Sequence, residues 1–429
     1  MTDSARLRAV LRGASGLNAP RPLGSRSDSV DLASLASGVG GVVEEFPLGP
    51  CPVVRSWMGT SAQDNPYSDG MLTDASSAIS ESGLRVLCGT GDAVGDTRSI
   101  DPTDGLLFFD LETTGLSGGS GTVAFVVGFG RFEGRRFHVW QFVLPSFAVE
   151  RRLLAAVTAV VARAHTLVTF NGKSFDVPFL EMRRLYHRLE TPLGGLRHLD
   201  LLHPARWLWG PETGGLGGLE RRLLHLHRHD DVPGFEIPAR YFDYLRSGDP
   251  TPLRGVLAHN RLDLASLGVL TGLACHLVDG GTESVDGARQ CLGLGRIYER
   301  SGCATRAIRC YERAAEWSMR CRSLVGPGGA ETRAEALYRV ALARRRERRY
   351  AEAARVWQQV LDLGGVPHRF EQEALRALAI HHEHRVKDAE RALMFARRAY
   401  KKERTAGRRR EGHTRVRRLE RRLADRLRP

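Results

Sequence analysis

The sequence lacks the features that mark zinc-binding, disulfide-rich or membrane proteins. Its seven cysteines are scattered, and no two of them form a Cys-x-x-Cys pair, which argues against structural zinc and against a disulfide framework. No apolar run approaches the ~18 residues of a membrane span, and the polar N-terminal residues lack the apolar core of a signal peptide. We therefore expect a cytoplasmic protein with reduced thiols and no membrane partner.

Excess charge of one sign is scarce outside the C-terminal end. The 429 residues carry a net charge of +14, but residues 397–429 alone hold 15 Lys and Arg against 4 Asp and Glu. The preceding residues hold 48 Lys and Arg against 45 Asp and Glu. The chain is thus a nearly neutral protein with a basic tail, and the tail is the part suited to an acidic partner.

Large apolar residues are few in the first hundred positions. Ser, Gly, Asp and Pro dominate there, and no helical or strand periodicity is sustained. Such a segment buries too little surface to offset the entropy of ordering. We therefore expect residues 1–100 to form a mostly disordered or extended arm, with a short helix at Ala5–Leu11 and a short strand at Leu84–Cys88.

Two acids follow a buried strand in the segment that begins at Leu106. Four apolar residues run into Asp110 and Glu112, which alternation places on one face of the strand, about 7 Å apart at their Cα atoms. Two like charges at the end of a buried strand are costly unless a cation lies between them. An isolated pair of this kind is more often simply a solvated strand end, so the assignment of a metal site depends on partner residues elsewhere in the chain.

The segment from 101 to 282 predicts a mixed α/β domain. Two more apolar runs, at 122–130 and 136–143, follow the first strand and suggest an antiparallel meander. A helix, a strand at 166–170, a helix from about 174 and a long helix over 253–278 come next. Neither glycine-containing segment is a phosphate-binding loop: the segment at 115–121 leads into a strand, and the stretch ending at Ser174 lacks the first glycine of that motif.

Three further polar residues occur later in that domain. Asp176 begins the helix that follows the fourth strand, and His259 and Asp263 are spaced i and i+4 on one face of the long helix. Each also has an ordinary structural explanation, as a helix N-terminal carboxylate or a surface His–Asp contact. Asp200 is a fifth acid among apolar neighbours, for which we favour a structural role over a site role.

Taken together, these acids resemble the DEDD exonucleases of the ribonuclease H-like superfamily. The stretch from Phe175 to Leu180 resembles the second exonuclease motif of family B DNA polymerases. His259 stands four residues before Asp263, where one DEDD branch has Tyr and the other has His one residue earlier. Residues 105–280 resemble the YprB-like ribonuclease H-like domain family in four segments, at 111–122, 198–203, 230–234 and 249–260.

The resemblance implies a 3′→5′ exonuclease that uses two Mg²⁺ or Mn²⁺ ions on single-stranded DNA or RNA. Asp110 would bridge the ions, Glu112 and Asp263 would hold the ion that carries the attacking water, and Asp176 would support the second ion. His259 would orient or deprotonate that water, and the substrate strand would be contacted by Thr113, Asn171 and Phe175. The alternative is a scaffold that binds nucleic acid without cutting it.

The remaining residues are helical in pattern. Over 286–403, alanines and aromatic residues recur at the spacing of degenerate tetratricopeptide units, which offer a surface for a protein partner. Residues 404–429 form an Arg-rich helix with an apolar stripe that includes Leu419. This helix either caps the repeats or contacts nucleic acid, and Arg409 and Arg417 are its candidate phosphate ligands.

Overall fold

The structure is a computed structural model that describes residues 31–58, 67, 70–90, 101–115, 121–190, 193–228, 231–320 and 328–426. A mixed α/β domain is followed by an all-helical region, which confirms the predicted fold class. The predicted helix at Ala5–Leu11, part of the glycine-rich segment and the end of the basic tail lie outside the described residues.

A single sheet organises the first domain. In the described residues its strands are β1 (Val42–Glu44), β2 (Cys51–Met58), β3 (Leu106–Thr113), β4 (Ala124–Glu133), β5 (Arg136–Val143), β6 (Thr166–Thr169) and β7 (Arg197–Asp200). They lie in the order β1-β2-β5-β4-β3-β6-β7. Strands β3, β4 and β5 form the predicted antiparallel meander, and β6 and β7 continue the sheet parallel to β3.

The prediction of a mostly disordered or extended arm is wrong for much of the segment before residue 101. Strand β2 pairs with β5 along its length, and Val53 is fully buried. The described part of this segment also forms three helices: α1 (Leu32–Gly38), α2 (Met71–Ala78) and α3 (Glu81–Cys88). The pairing partner of β2 is remote in sequence, so local composition does not reveal that the segment completes a sheet.

The segment predicted as a strand at Leu84–Cys88 belongs instead to helix α3. The Ser80 hydroxyl accepts a hydrogen bond from the Gly83 amide at 2.9 Å and caps the helix. Leu84 and Leu87 lie on the buried side, as expected for helical spacing. The serine cap and the acidic first turn outweigh the strand preference of this short apolar run.

Helices cover both faces of the sheet and position the acids. They are α4 (Glu150–Ala156), α5 (Thr158–Val161), α6 (Asp176–Tyr186), α7 (Leu202–Trp209), α8 (Leu216–Leu219), α9 (Ile237–Ser247) and α10 (Thr251–Gly280). Phe108 packs in the core cluster that includes Leu264 and Leu267 of α10, while Phe109 packs in the cluster that includes Leu153. Because side chains alternate along a strand, Asp110 lies on the same face as Phe108, towards α10.

Helix α10 is both the central core helix and a segment long and apolar enough to cross a membrane. Its most apolar window has a mean hydropathy of 1.4, although we expected no such segment from the sequence. Within the protein, 67% of that window is buried. This degree of burial is typical of a core helix packed against a sheet.

Seven α-helices make up the described part of the C-terminal region. They are α11 (Ala288–Arg300), α12 (Ala304–Arg320), α13 (Gly328–Arg346), α14 (Tyr350–Asp362), α15 (His368–His381), α16 (Ala389–Lys402) and α17 (Ala406–Arg426). Each helix packs against the next along the chain, and α11 also packs against α7. A Cβ atom at Gly293 would lie 2.1 Å from the Trp207 carbonyl oxygen, so glycine permits this close approach between the two regions. The tetratricopeptide assignment remains a prediction.

Candidate active site

Strand β3 presents both of its acids to helix α10. Glu112 is only 8% exposed, and the strand pairing shifts register between Glu112 and Thr113. The Thr113 hydroxyl donates to the Gly115 carbonyl at 2.9 Å, which holds the chain as it leaves the strand. Thr113 is therefore buried and engaged with the backbone beside the acids.

The two carboxyls of β3 lie in a field of other acids. Burial raises the pKa of Asp110 well above its usual range, and the nearby Asp263 and Asp176 raise it further. Burial and the charge of Asp110 likewise raise the pKa of Glu112. The structure thus brings the four predicted acids into one electrostatic cluster, in which the neighbouring acids destabilise the charged forms of Asp110 and Glu112.

Asp176 reaches the cluster from the start of helix α6. Its residue is 7% exposed, and burial raises the pKa of this carboxyl to about 7 although its own backbone amide lowers it. Phe175, directly before it, stacks on Phe179 with ring centroids 6.0 Å apart. The stacking fixes the first turn of α6 and with it the position of Asp176.

A tight turn between β6 and α6 carries Asn171. Its backbone has a φ of 68°, a left-handed conformation that asparagine tolerates better than most residues. The buried Asp200 accepts hydrogen bonds from the Asn171 amide at 2.8 Å and from the Lys173 amide at 3.1 Å. Asp200 therefore stabilises the turn, which is the structural role favoured from the sequence.

Helix α10 places His259 and Asp263 on one face, as their spacing predicts. The His259 Nε2 atom lies 3.7 Å from a carboxylate oxygen of Asp263. On its other side, His259 Nδ1 lies 2.8 Å from Asp231, and because a carboxylate only accepts, Nδ1 donates. Asp231 was not predicted as a site residue, although it lies in one of the segments of the resemblance.

The cluster also contains a cation that sequence reasoning missed. The Arg228 guanidinium binds Asp263 and the buried Glu220, and it lies 3.2 Å from Asp231. Burial alone would lower the pKa of Arg228, but Asp263 and Glu220 raise it above its usual value. Arg228 lies 35 residues before Asp263, in a connection without periodicity, so only the folded chain reveals the contact.

We expect Arg228→Met to destabilise the protein by about 3–5 kcal/mol, because the buried Glu220 and the partly buried Asp263 lose their counter-charge. Urea unfolding at neutral pH measures this change. The control is Arg246→Met, since Arg246 and its partner Asp243 are 72% and 49% exposed and such a pair contributes less than about 1 kcal/mol. Equal effects of the two substitutions would show that Arg228 is not holding the cluster together.

The basic residues predicted to bind phosphate lie on α17, which packs against α16 in the C-terminal helical region. Arg409 lies over the Tyr400 ring, 5.5 Å from its centroid, and Arg417 is exposed. Val416 and Leu419 are buried, so the helix also covers part of the helical core. Both predicted roles, as a cap and as a charged surface, are therefore compatible with this helix.

The donor set has the chemistry of a site for a hard divalent cation, since it consists of four carboxylates and the charges of the neighbouring acids raise the pKa values of Asp110 and Glu112. As they stand, no group of three or more His, Cys, Asp or Glu side chains in the described part of the chain converges enough to hold a metal ion. Arg228 engages one oxygen of Asp263, and the other oxygen faces His259. The residues fit a metal by their chemistry.

Known proteins are similar to the same part of the chain. Residues 107–274 match the family described as the RNase_H superfamily. A stretch of 165 residues is 40% identical to the uncharacterized protein YprB of Bacillus subtilis (strain 168), and it covers 38% of this chain. The chain spans 40% of the length of that relative. The part of the α/β domain that carries the four acids is therefore similar to the RNase_H superfamily.

Proposed function

We propose that this protein is a metal-dependent nuclease that acts as a 3′→5′ exonuclease on single-stranded DNA or RNA. The observation that supports the proposal most is the cluster of four buried or partly buried acids on β3, α6 and α10, in a part of the chain that matches this superfamily. Burying Glu112 and Asp176 beside the partly buried Asp110 and Asp263 would be costly without a function. Raised carboxyl pKa values in such a cluster are typical of functional sites.

In the proposed site, Asp110, Glu112, Asp176 and Asp263 hold two Mg²⁺ or Mn²⁺ ions. When bound, such ions lower the pKa of a water and stabilise the oxygen that leaves the phosphorus. Thr113 follows Glu112 and Phe175 precedes Asp176 in the chain, and these two residues and Asn171 are proposed to contact the nucleic-acid strand. Asp110 would supply one of the carboxylates that hold the ions.

The protein supplies a proton acceptor of its own. Because His259 Nδ1 donates to Asp231, Nε2 is the ring nitrogen that can act as an acceptor, and it lies on the side of Asp263. Nε2 is proposed to orient the attacking water and to take its proton. Asp231 holds the ring in this tautomer and stabilises the positive charge that forms on it.

A panel of labelled oligonucleotides tests the proposal. Single strands of DNA and RNA, with free or blocked 3′ ends, are incubated with the protein and Mn²⁺. We expect one sugar type to be degraded, and a blocked 3′ end to prevent degradation. If every substrate in the panel remained intact, the nuclease proposal would be wrong; if blocked strands were cut, the activity would be endonucleolytic.

One observation favours the second candidate function, a nucleic-acid-binding scaffold with an inactive site. Arg228 already neutralises Asp263, so part of the acidic charge is balanced without a metal. The helical region would then recruit a protein partner. Calorimetric titration with Mn²⁺ separates the candidates, because the nuclease binds the ion and the scaffold does not.

We expect the basic surface of α17 to contribute to nucleic-acid affinity. Arg409→Gln combined with Arg417→Gln should reduce the slope of log K against log salt concentration by about 1–2 units, since each single-strand phosphate contact contributes about 0.7. Fluorescence anisotropy over a salt series measures this slope. Point substitutions are preferable to deleting residues 404–429, because a deletion would also remove the buried Leu419.

The control for the basic surface replaces two exposed arginines near the end of α13, Arg345→Gln and Arg348→Gln. This variant loses the same charge but should keep the salt slope of the unmodified protein. If the α17 variant also kept that slope, α17 would face a protein partner or only water.

A further inference from the structure

We propose that Asn260 is a positioning residue that holds Asp110 in a fixed orientation, and that Gln141 sets the direction of the Asn260 amide. The inference rests on the proposed function, because it concerns Asp110 as a metal ligand. Neither residue is among the acids of the predicted site, and both lie under it.

Asn260 connects the long helix to the first acid. Its side chain is fully buried on α10, and its Nδ2 atom donates to one carboxylate oxygen of Asp110 at 2.7 Å. Its Oδ1 atom accepts a hydrogen bond from Gln141 Nε2 at 2.8 Å. Since Asn260 has no exposed surface, it cannot touch the substrate. It can act on a bound metal ion only through Asp110.

Gln141 determines which atom of the Asn260 side-chain amide, oxygen or nitrogen, faces Asp110. Its Nε2 atom also donates to the Leu257 carbonyl at 2.8 Å. A carbonyl can only accept, so the Gln141 nitrogen must face it and must then donate its other hydrogen to Asn260. Asn260 consequently presents its oxygen to Gln141 and its nitrogen to Asp110. A reversed Asn260 would set an oxygen against a carboxylate.

The sheet is built to receive this network. The strand register places Asp110 opposite Gly128, and Gly128 opposite Gln141, so these residues form one row across three strands. A Cβ atom at Gly128 would lie 2.2 Å from Asn260 Oδ1. Glycine at the centre of the row therefore leaves the space that the Asn260 side chain occupies between its two partners.

One atom of the network is left unsatisfied. Gln141 is fully buried, and its Oε1 atom has no hydrogen-bond partner in the described part of the protein. A buried acceptor without a partner costs about 1–3 kcal/mol. An apolar residue would fill this strand position without that cost, so the glutamine is better explained by the donors that it supplies than by packing.

A directed donor on Asp110 has a clear use at a cation site. The donor holds one carboxylate oxygen of Asp110 and leaves the other free to bind the cation. Because Asn260 is neutral, it does not take the place of the cation as an arginine would. Partners of this kind orient metal ligands, and their loss typically weakens metal binding or activity about 10–100-fold.

The test is calorimetric titration of the full-length protein with Mn²⁺. Asn260→Leu should weaken Mn²⁺ binding about 10–100-fold, and Gln141→Met should weaken it by about tenfold, because Asn260 then loses the partner that directs it. The matched control is Gln372→Met. Gln372 is also buried, donates to the Ala399 carbonyl at 3.2 Å and has an unpartnered Oε1, but it lies in the helical region.

The control variant should bind Mn²⁺ as the unmodified protein does. A second readout is binding of a single-stranded oligonucleotide in EDTA, which both site variants should leave unchanged, because neither residue reaches the surface. If Asn260→Leu does not fold, the Mn²⁺ affinity of Gln141→Met alone tests the inference.

The outcomes separate this inference from the proposed function. Unmodified protein that binds no Mn²⁺ overturns both. Unmodified protein that binds Mn²⁺, together with two folded site variants that bind it equally well, overturns only the role of Asn260 and Gln141. A loss of Mn²⁺ affinity in Gln372→Met as large as that in Gln141→Met would likewise overturn it.

Discussion

Asp110→Asn is expected to lower the rate of phosphodiester hydrolysis by at least about 10³-fold, because it removes a carboxylate from the centre of the acidic cluster. Asparagine keeps the shape of the side chain, and a neutral side chain at this buried position relieves repulsion from Asp263 and Asp176. The fold should therefore survive. The measurement is the initial rate on a labelled single strand with saturating Mn²⁺.

The control for this experiment is Asp74→Asn, an exposed aspartate at the start of α2 in the same domain. It should retain full activity and should co-purify with the same trace contaminants. Equal activity of the two variants would mean either that the nuclease activity comes from another protein or that the acids of β3 are not its site.

Asp176→Asn is expected to stabilise the metal-free protein at pH 8 by up to about 4 kcal/mol. The pKa of this carboxyl is raised to about 7 in the folded protein, from an ordinary value of 3.8. Between these values the folded state binds more protons than the unfolded state, so the free energy of unfolding falls as the pH rises from about 4 to 7. Asparagine removes this loss.

Urea unfolding in EDTA at several pH values measures the difference between Asp176→Asn and the unmodified protein. The difference should be small near pH 4 and largest at pH 8. With Mn²⁺ present, this difference in the free energy of unfolding should become smaller or change sign, because the cation stabilises the unmodified protein more than the variant. A stability difference that did not change between pH 4 and 8 would show that Asp176 does not titrate in this window.

Periodicity and residue spacing in the sequence predicted the strand and the long helix that carry most residues of the candidate site. The apolar run before Asp110 predicts a buried strand, and alternation puts Glu112 on the same face. The i and i+4 spacing of His259 and Asp263 predicts one face of a helix, and the structure shows a long helix there. These are local patterns, and a local pattern predicts the element well when the segment is long and strongly periodic.

The residues that surround the acids could not be found in this way. Arg228 and Asp231 lie in a connection between helices, and their contacts with α10 depend on how that connection folds back. Gln141 did carry a signal, since it is an amide between the apolar residues Trp140 and Phe142 of β5. A buried amide needs partners, but only the folded chain shows which residues they are.

The most direct test of the nuclease proposal is a time course with a 5′-labelled single-stranded oligonucleotide of the susceptible sugar type, resolved at single-nucleotide steps. With Mn²⁺ we expect products that shorten one nucleotide at a time from the 3′ end, and with EDTA we expect intact substrate. Substrate that stayed at full length with Mn²⁺, while anisotropy showed it bound to folded protein, would contradict the account.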